Sequence, residues 1–184
     1  MDKDCLIKKL DKQIKICKKC YRYKTRNIAI SGNGNIFSKI MIIGESPGKE
    51  EDLKGEVFVG KSGIILNNLL KKINIKKKEV YITNILKCYK PNAPTTKEIS
   101  SCINYLKQQL DIIKPKILVC LGKYANNEIF KIFNFPIKKI SEIHGKSFSF
   151  GKIKIISLYH PAYALHNSNI LKILKKDFKK ILLF

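Results

Sequence analysis

Residues 40–70 read IMIIGESPGKEEDLKGEVFVGKSGIILNNLL, and this stretch decides the fold. The apolar run at 40–43 has the length and composition of a buried strand, and it stops at a turn rich in Gly and Pro. After a second turn, apolar residues between positions 62 and 73 recur at helical spacing. This order predicts strand, loop and helix, with the loop at the carboxyl end of the strand, where open α/β sheets bind ligands.

The remainder of the chain continues the alternation of strands and helices. Further strands are predicted at residues 79–84, 116–121 and 152–158. The last of them forms a hairpin with 145–150 through Gly151, while residues 27–38 read as a β-type segment broken by a hairpin or loop. Such alternation predicts a mainly parallel sheet covered by helices on both faces. We therefore expect an α/β fold, a three-layer sandwich around a central, mainly parallel four-stranded sheet, in one domain over residues 1–184.

Composition sets broad limits on the protein's class. The 184 residues are 45% hydrophobic, enough to bury a core, and they contain no apolar run of 18 residues. The first ten residues, MDKDCLIKKL, include two acids and lack the apolar segment of a secretory signal. These features predict a cytoplasmic protein with no membrane span.

The net charge of +23 suggests a polyanion partner, because lysines and arginines neutralise phosphates and release their counterions. A second interpretation is codon drift in an AT-rich genome, since Lys, Ile and Asn are abundant throughout and only Arg22 and Arg26 are arginine. Charge alone therefore favours nucleic acid without identifying a strand type.

Four of the six cysteines form a candidate ligand set. Cys17 and Cys20 are a C-x-x-C pair, Cys88 follows a predicted strand, and Cys102 lies on the apolar face of the next helix. The C-x-x-C pair alone is ambiguous between a metal site, a redox dithiol and chance, and Cys102 alone is best interpreted as a small buried hydrophobe. Four thiolates suit a [4Fe–4S] cluster or a structural zinc, and their spacing does not separate the two.

Three other side chains are candidates for a binding site. Asn84 ends a predicted strand, where an Asn is often a turn former, yet its amide offers one acceptor and paired donors. His160 directly follows the last core strand, and Phe58 is the large aromatic residue in the first loop. A large aromatic residue in such a loop, beside turns and acids, indicates a ligand pocket at the carboxyl ends of the strands.

Three motifs resemble those of the family-4 uracil-DNA glycosylases, the type that carries an iron–sulfur cluster. They are GESPGKEEDLKGEVFVGKSG from Gly44, TNILKC from Thr83 and HPAY from His160. The chain departs from the family pattern at Ser46, usually Ala or Gly, and at Val57, usually Pro. It also has Ala-Leu-His at 164–166 where the family has Leu-Leu-Arg. The resemblance spans roughly residues 13–175.

The resemblance implies a uracil-DNA glycosylase-like fold and a reaction that starts base excision repair. The enzyme would flip deoxyuridine out of DNA and hydrolyse its N-glycosidic bond, which releases uracil and leaves an abasic site. Glu45 and His160 would be catalytic, with His160 stabilising negative charge on the leaving base. Related enzymes of another family place an Asp at the position of Ser46, so the residue that orients water stays open between Glu45 and Asp52.

The resemblance also implies the other site residues and the partner. Substrate contacts are expected from Ser46, Asp52, Phe58 and Asn84, with Asn84 reading the uracil edge. The cluster ligands are expected to be Cys17, Cys20, Cys88 and Cys102, holding a structural [4Fe–4S] cluster. The expected partner is uracil-containing DNA, bound by a monomer.

Three rival functions are compatible with parts of this pattern. A branch of the superfamily traps DNA through a His in a basic insertion after the first motif, but residues 52–63 contain no His. A nucleic-acid-binding module with an inactive pocket would bind DNA without releasing a base. An iron–sulfur redox carrier would leave the predicted pocket residues without a role.

Overall fold

A computed structural model of the protein describes residues 2–184. Within these residues, six strands form one mixed sheet. They are β1 (Asn33–Gly34), β2 (Ile40–Gly44), β3 (Tyr81–Asn84), β4 (Ile117–Leu121), β5 (Ser147–Phe150) and β6 (Ile153–Leu158). Their order across the sheet is β1-β3-β2-β4-β6-β5.

The four central strands are parallel, as the alternation predicted, but the expected count of four strands was wrong. The strands β1 and β5 add antiparallel edges, β1 on β3 and β5 on β6. The hairpin through Gly151 was predicted, although its outer strand was not counted in the sheet. β1 lies within the β-type segment predicted at 27–38, but at its predicted break, because a strand of two residues is too short to show any hydrophobic period.

Helices cover both faces of the sheet. They are α1 (Lys3–Lys15), α2 (Lys49–Lys54), α3 (Lys61–Lys72), α4 (Thr96–Ile113), α5 (Gly122–Ile132), α6 (Ile140–Ile143) and α7 (Ser168–Phe178). One apolar cluster joins α1, α4 and α5 to one face, and a second joins α3 and α7 to the other. Met41 and Ile43 belong to the first cluster and Ile42 to the second, because successive side chains of a strand point to opposite faces.

Helix α4 begins with a capping box, as the sequence Thr95-Thr96-Lys97-Glu98 predicts. The hydroxyl of Thr95 accepts from the backbone N–H of Glu98 at 3.2 Å, and the carboxylate of Glu98 accepts from the N–H of Thr95 at 3.0 Å. This reciprocal pair satisfies two donors that would otherwise lack partners at the helix start.

Helix α2 was not predicted, since its acidic residues were read as part of a loop. It is only six residues long, with three acids in its first turn and Gly55 at its end in the left-handed conformation, φ 72°. Acids near a helix N-terminus interact favourably with the helix dipole, and Gly adopts positive φ without strain. So short a helix gives too few apolar repeats to be recognised.

The amphipathic sequence at 169–183 predicts one last helix, but the α-helix in the structure is shorter. Helix α7 stops at Phe178, and residues Lys179–Leu183 form a 3-10 turn. Across residues 2–184, no helix combines the length and apolar character that crossing a bilayer requires.

Candidate active site

The candidate site lies where the parallel strands end. Gly44 at the end of β2 pairs in register with Asn84 at the end of β3. Gly122 follows β4 directly, and His160 lies two residues beyond β6. All four central strands therefore contribute to one edge of the sheet, the edge at which α/β proteins bind ligands.

Gly44 allows Asn84 and Phe58 to come close together. A Cβ at position 44 would lie 2.3 Å from Oδ1 of Asn84 and 2.8 Å from Cζ of Phe58. Oδ1 of Asn84 is buried and has no hydrogen-bond partner among the described residues. A buried acceptor without a donor is unfavourable, so this atom is suited to receive a donor from a ligand.

Phe58 is held in an unusual backbone conformation. Its φ is 52°, in the left-handed region that bulky residues rarely adopt. A Cβ at Gly63 would lie 2.0 Å from the carbonyl oxygen of Phe58, so only glycine fits at that position of α3. On the other side, Nζ of Lys77 donates to the carbonyl oxygen of Val57 at 2.9 Å. Strain of this kind is concentrated at functional sites.

Glu51 connects the two turns of the first motif, a role that the sequence analysis did not assign. One carboxylate oxygen accepts from the N–H of Gly48 at 3.0 Å. The other accepts from the N–H groups of Val59 and Gly60 at 2.9 and 2.8 Å. The sequence contains a signal for this role, because Glu51 lies three residues after Gly48. An acid in that position at the start of a helix accepts a hydrogen bond from the backbone N–H of the capping residue.

His160 is neutral and its tautomer is fixed. Burial lowers the pKa of His160 to about 4, against a smaller opposing effect of the Glu51 carboxylate. Its Nδ1 accepts from the backbone N–H of Ala162 at 3.1 Å, so the proton must be on Nε2. The ring lies 5.8 Å from that of Phe58, centroid to centroid, at an angle of 27°. The site thus presents an aromatic face beside a neutral N–H donor.

Glu45 directly follows Gly44 at the same edge. Partial burial raises the pKa of Glu45, and the Arg22 charge opposes this shift. A carboxylate with a raised pKa is a better proton acceptor than one in water. Ser46, the next residue, is half-buried.

The four predicted ligand cysteines line one small enclosed cavity. Cys17 and Cys20 come from the segment after α1, Cys88 from the loop after β3, and Cys102 from α4. The tertiary fold therefore brings together residues up to 85 positions apart in the sequence. Within residues 2–184, however, no three His, Cys, Asp or Glu side chains have the geometry to hold a single metal ion.

Both arginines of the chain lie beside these cysteines. Arg26 donates to Sγ of Cys88 at 2.9 Å and to the carbonyl oxygen of Cys17 at 2.8 Å. Arg22 is fully buried and contacts Glu98 at 3.2 Å. Burial raises the pKa of Cys88, and the hydrogen bond from Arg26 opposes that shift. Guanidinium donors of this kind stabilise thiolates, the form in which cysteine binds metals.

The chain matches the family model of the uracil DNA glycosylase superfamily over residues 31–183. It is 41% identical to a type-4 uracil-DNA glycosylase from Archaeoglobus fulgidus, covering 92% of this chain and 88% of that protein. Similar relatives from Sulfurisphaera tokodaii and Thermotoga maritima, also named type-4 uracil-DNA glycosylases, are 40% and 34% identical. Each covers 95% of this chain, over 83% and 92% of its own length. The chain belongs to the type-4 uracil-DNA glycosylases.

Within this type-4 glycosylase, most of the predicted pocket residues come together. Asn84, Phe58 and His160 meet around the sheet edge, and Glu45 and Ser46 lie in the adjoining turn. All five are within the segment that matches the superfamily model, whereas Cys17 and Cys20 precede it.

Asp52 is placed differently from the other predicted residues of the type-4 glycosylase site. It is buried, and both of its carboxylate oxygens accept from N–H groups of Asn27 and the backbone N–H of Ile28, at 2.8 to 3.2 Å. These bonds fasten α2 to the segment before β1. Sequence alone could not show this, since the partners are about 25 residues away.

Proposed function

We propose that this protein is a uracil-DNA glycosylase that hydrolyses the N-glycosidic bond of deoxyuridine in DNA. It would release uracil and leave an abasic site, the first step of base excision repair. The observation that carries the proposal is the buried, unpartnered Oδ1 of Asn84, next to the Phe58 ring and the neutral His160. Family membership supports the same reaction.

Asn84 is suited to choose uracil over cytosine. Its Oδ1 would accept from N3–H of uracil, while its amide N–H₂ would donate to O4. Cytosine presents a lone pair at N3 and a donor at C4, so both contacts would be mismatched. A site that leaves polar groups unpaired with the wrong ligand rejects that ligand strongly.

His160 is suited to stabilise the departing base. As the glycosidic bond breaks, negative charge accumulates on the uracil ring and its O2 atom. The Nε2–H of His160 would donate to that oxygen, and the bond would strengthen as the charge develops. A neutral imidazole keeps this donor without placing a full positive charge in a buried pocket, consistent with the lowered pKa.

Phe58 would supply the surface on which the flipped base stacks. Its side chain is buried, and its backbone is fixed from both sides by Gly63 and Lys77. A rigid platform lowers the entropy lost on binding, and base stacking on an aromatic ring contributes roughly 1–3 kcal/mol.

Glu45 is our candidate for orienting the attacking water, with Ser46 as a neighbouring substrate contact. The pKa of Glu45 is raised by burial, which favours proton acceptance. For Asp52 we propose a structural role instead, since its oxygens are occupied by residues 27 and 28. Rate enhancement from leaving-group stabilisation would add to that from water orientation.

We also propose that Cys17, Cys20, Cys88 and Cys102 hold a [4Fe–4S] cluster. The donor set fits, since four thiols line one cavity and a guanidinium donates to one of them. The cluster would join the segment after α1 to β3 and α4, and its role would be structural. Base release requires no electron transfer, so the proposed reaction depends on the pocket residues.

One experiment tests the proposed reaction directly. The purified protein is incubated with an oligonucleotide carrying one uracil, and abasic sites are then cleaved with alkali. We expect cleavage at the uracil position, none in the matching thymine oligonucleotide, and a rate roughly 100- to 1000-fold lower for His160→Ala. Binding of the uracil oligonucleotide without base release would instead identify a nucleic-acid-binding module.

A further inference from the structure

A buried lysine lies directly behind the residue that would read the base. Lys87 is only 1% exposed, and besides a longer contact of 3.3 Å to the carbonyl oxygen of Ser31 its ammonium group donates to three oxygens, each at 2.7 Å. They are the backbone carbonyl of Asn84, the hydroxyl of Thr83 and the side-chain carbonyl of Gln109 on α4. An ammonium has three N–H donors and no acceptor, so the three nearest oxygens match its capacity.

The acceptors around Lys87 are themselves fixed in orientation. The Thr83 hydroxyl donates to the carbonyl oxygen of Ser31, which leaves its lone pairs for Lys87. The amide nitrogen of Gln109 donates to Ser31 at 2.8 Å and to the Tyr81 hydroxyl at 3.1 Å, so its oxygen faces the lysine. The network therefore joins β3, α4 and the segment before β1 around one charge. Such fully satisfied buried networks make a structure rigid.

The same network leaves the Asn84 side chain free. Lys87 holds the backbone carbonyl of Asn84, whereas the side-chain Oδ1 has no partner within the described residues. On the other side, Gly44 leaves no room for a Cβ against that oxygen. The backbone of Asn84 is thus held while its amide stays available to a ligand, an arrangement that preorganises a binding group.

We propose that Lys87 is a positioning residue for base selection, acting through Asn84 together with Thr83 and Gln109. This inference rests on the proposed function, since it assumes that Asn84 reads the uracil edge. Lys87 touches neither the base nor the reacting atoms. Its contribution is to keep the Asn84 amide in the orientation that pairs with uracil and rejects cytosine.

A double-mutant cycle tests the proposal. Lys87→Met keeps most of the side-chain volume and removes the charge and the three donors. We expect it to lower the single-turnover rate of uracil release roughly tenfold, within the range of couplings between contacting residues. In the Asn84→Ala background the same change should alter the rate less than about twofold, because its target is gone. Equal losses in the two backgrounds would overturn the proposal and indicate a general structural role.

Lys87 precedes Cys88 and lines the cavity of the four cysteines, so Lys87→Met could prevent folding. A second pair of variants, at Thr83, lies outside that cavity. Thr83→Val removes the hydroxyl with little change in shape, whereas Thr83→Ser keeps it. We expect Thr83→Val to reduce the ratio of uracil to cytosine release and Thr83→Ser to preserve it. If Thr83→Val and Thr83→Ser have the same unfolding midpoint and the same ratio of uracil to cytosine release, the network does not position Asn84.

These experiments distinguish a failure of the proposed function from a failure of the positioning role of Lys87. If the wild-type protein releases no uracil, the proposed function fails before Lys87 is examined. If it releases uracil, but Lys87→Met does not couple to Asn84 and Thr83→Val leaves the ratio of uracil to cytosine release unchanged, only the positioning role fails. Iron content measured in each variant shows whether a rate change follows from loss of the proposed cluster.

Discussion

At the scale of single residues, the protonation state of His160 follows from where the fold places it. A histidine in water has a pKa of about 6.5. In the folded protein burial lowers the pKa of His160 to about 4, and the N–H of Ala162 occupies Nδ1. The folded state therefore disfavours the imidazolium, and the Nε2–H tautomer persists at neutral pH.

This shift predicts a pH dependence of stability with a definite sign. Between pH 6.5 and about 4 the unfolded chain binds a proton at this position that the folded protein does not. Lowering the pH through that window should therefore favour unfolding, and the contribution is fully regained above pH 6.5. The free energy of unfolding should fall less steeply with acidification in His160→Asn than in the wild type. Imidazole NMR should show neutral His160 with its proton on Nε2 at pH 5.5; a charged ring there would contradict the assignment.

Asn84 should control which base is accepted. Asn84→Asp replaces the donor that uracil O4 needs with an acceptor, which suits the amino group of cytosine instead. We expect slower uracil release and a trace of cytosine release, measured by single-turnover assays on oligonucleotides that differ in one base. Phe58→Ala is the control, since loss of stacking should weaken capture of both bases without changing the ratio between them. An unchanged ratio in Asn84→Asp would remove Asn84 from base selection.

At the scale of elements, the start of α3 and the Phe58 turn depend on one another. The backbone of Phe58 contacts α3 at Gly63, where a methyl group would overlap the Phe58 carbonyl. The same turn is fixed to the start of α2 through Glu51. The short helices and turns of the first motif thus form one unit that sets the position of the aromatic ring.

Gly63→Ala tests this dependence. The added methyl group forces either α3 or the Phe58 turn to move, and overpacking of this kind costs about 1–3 kcal/mol. We expect a lower free energy of unfolding in denaturant titration and weaker capture of the flipped base. Gly151→Asn is the matched control, since nothing lies within 4 Å of a Cβ there and Asn tolerates positive φ. Equal stability of both variants would show that the Phe58 turn adapts freely.

The proposed cluster also joins elements, and its ligands can be identified by substitution. Protein purified without oxygen should be brown and contain about four irons per chain. Replacing Cys17, Cys20, Cys88 or Cys102 by Ser should remove most of the iron and lower the unfolding temperature. Cys5→Ser and Cys120→Ala are controls, because Cys5 is exposed on α1 and Cys120 is in the core of β4. Colourless protein with stoichiometric zinc would overturn the iron assignment.

At the scale of the whole molecule, the net charge is +23, and lysines supply the positive charge that is available to bind DNA. Both arginines are used inside the fold, Arg22 against Glu98 and Arg26 against Cys88. Lysine ammonium groups act as point charges and lack the planar, bidentate geometry with which arginine reads guanine. The surface therefore favours binding to phosphates over reading of sequence.

We accordingly expect DNA binding to be steeply salt-dependent and largely indifferent to sequence. The slope of log affinity against log salt should be several units negative, with about 0.9 contributed by each phosphate neutralised on duplex DNA. Fluorescence anisotropy at a series of salt concentrations measures it, with two unrelated duplex sequences compared in parallel. A flat response would mean that the lysine surplus reflects codon usage.

The sequence by itself determined the parallel core of the sheet and the sheet edge at which the candidate site lies. Apolar runs ending in Gly44, Asn84 and Gly122 specify buried strands, and the turns after them fall at one edge of a parallel sheet. These features are local, or follow from the handedness and order of strands and helices. The family resemblance rested on the same local motifs and was confirmed.

Only the tertiary structure decided how the acidic and basic side chains are used. Glu51, Asp52 and Glu45 lie within eight residues of one another and look alike in sequence. Glu51 accepts hydrogen bonds from the turns of its own motif, and Asp52 accepts them from the segment before β1. Glu45 lies at the sheet edge. Lys87 likewise reads as one lysine among many until Thr83, Asn84 and Gln109 surround it. Several of these contacts join residues that are distant in the chain, such as Asn27 with Asp52 and Gln109 with Lys87, and burial then fixes the charge state that a sequence alone leaves open.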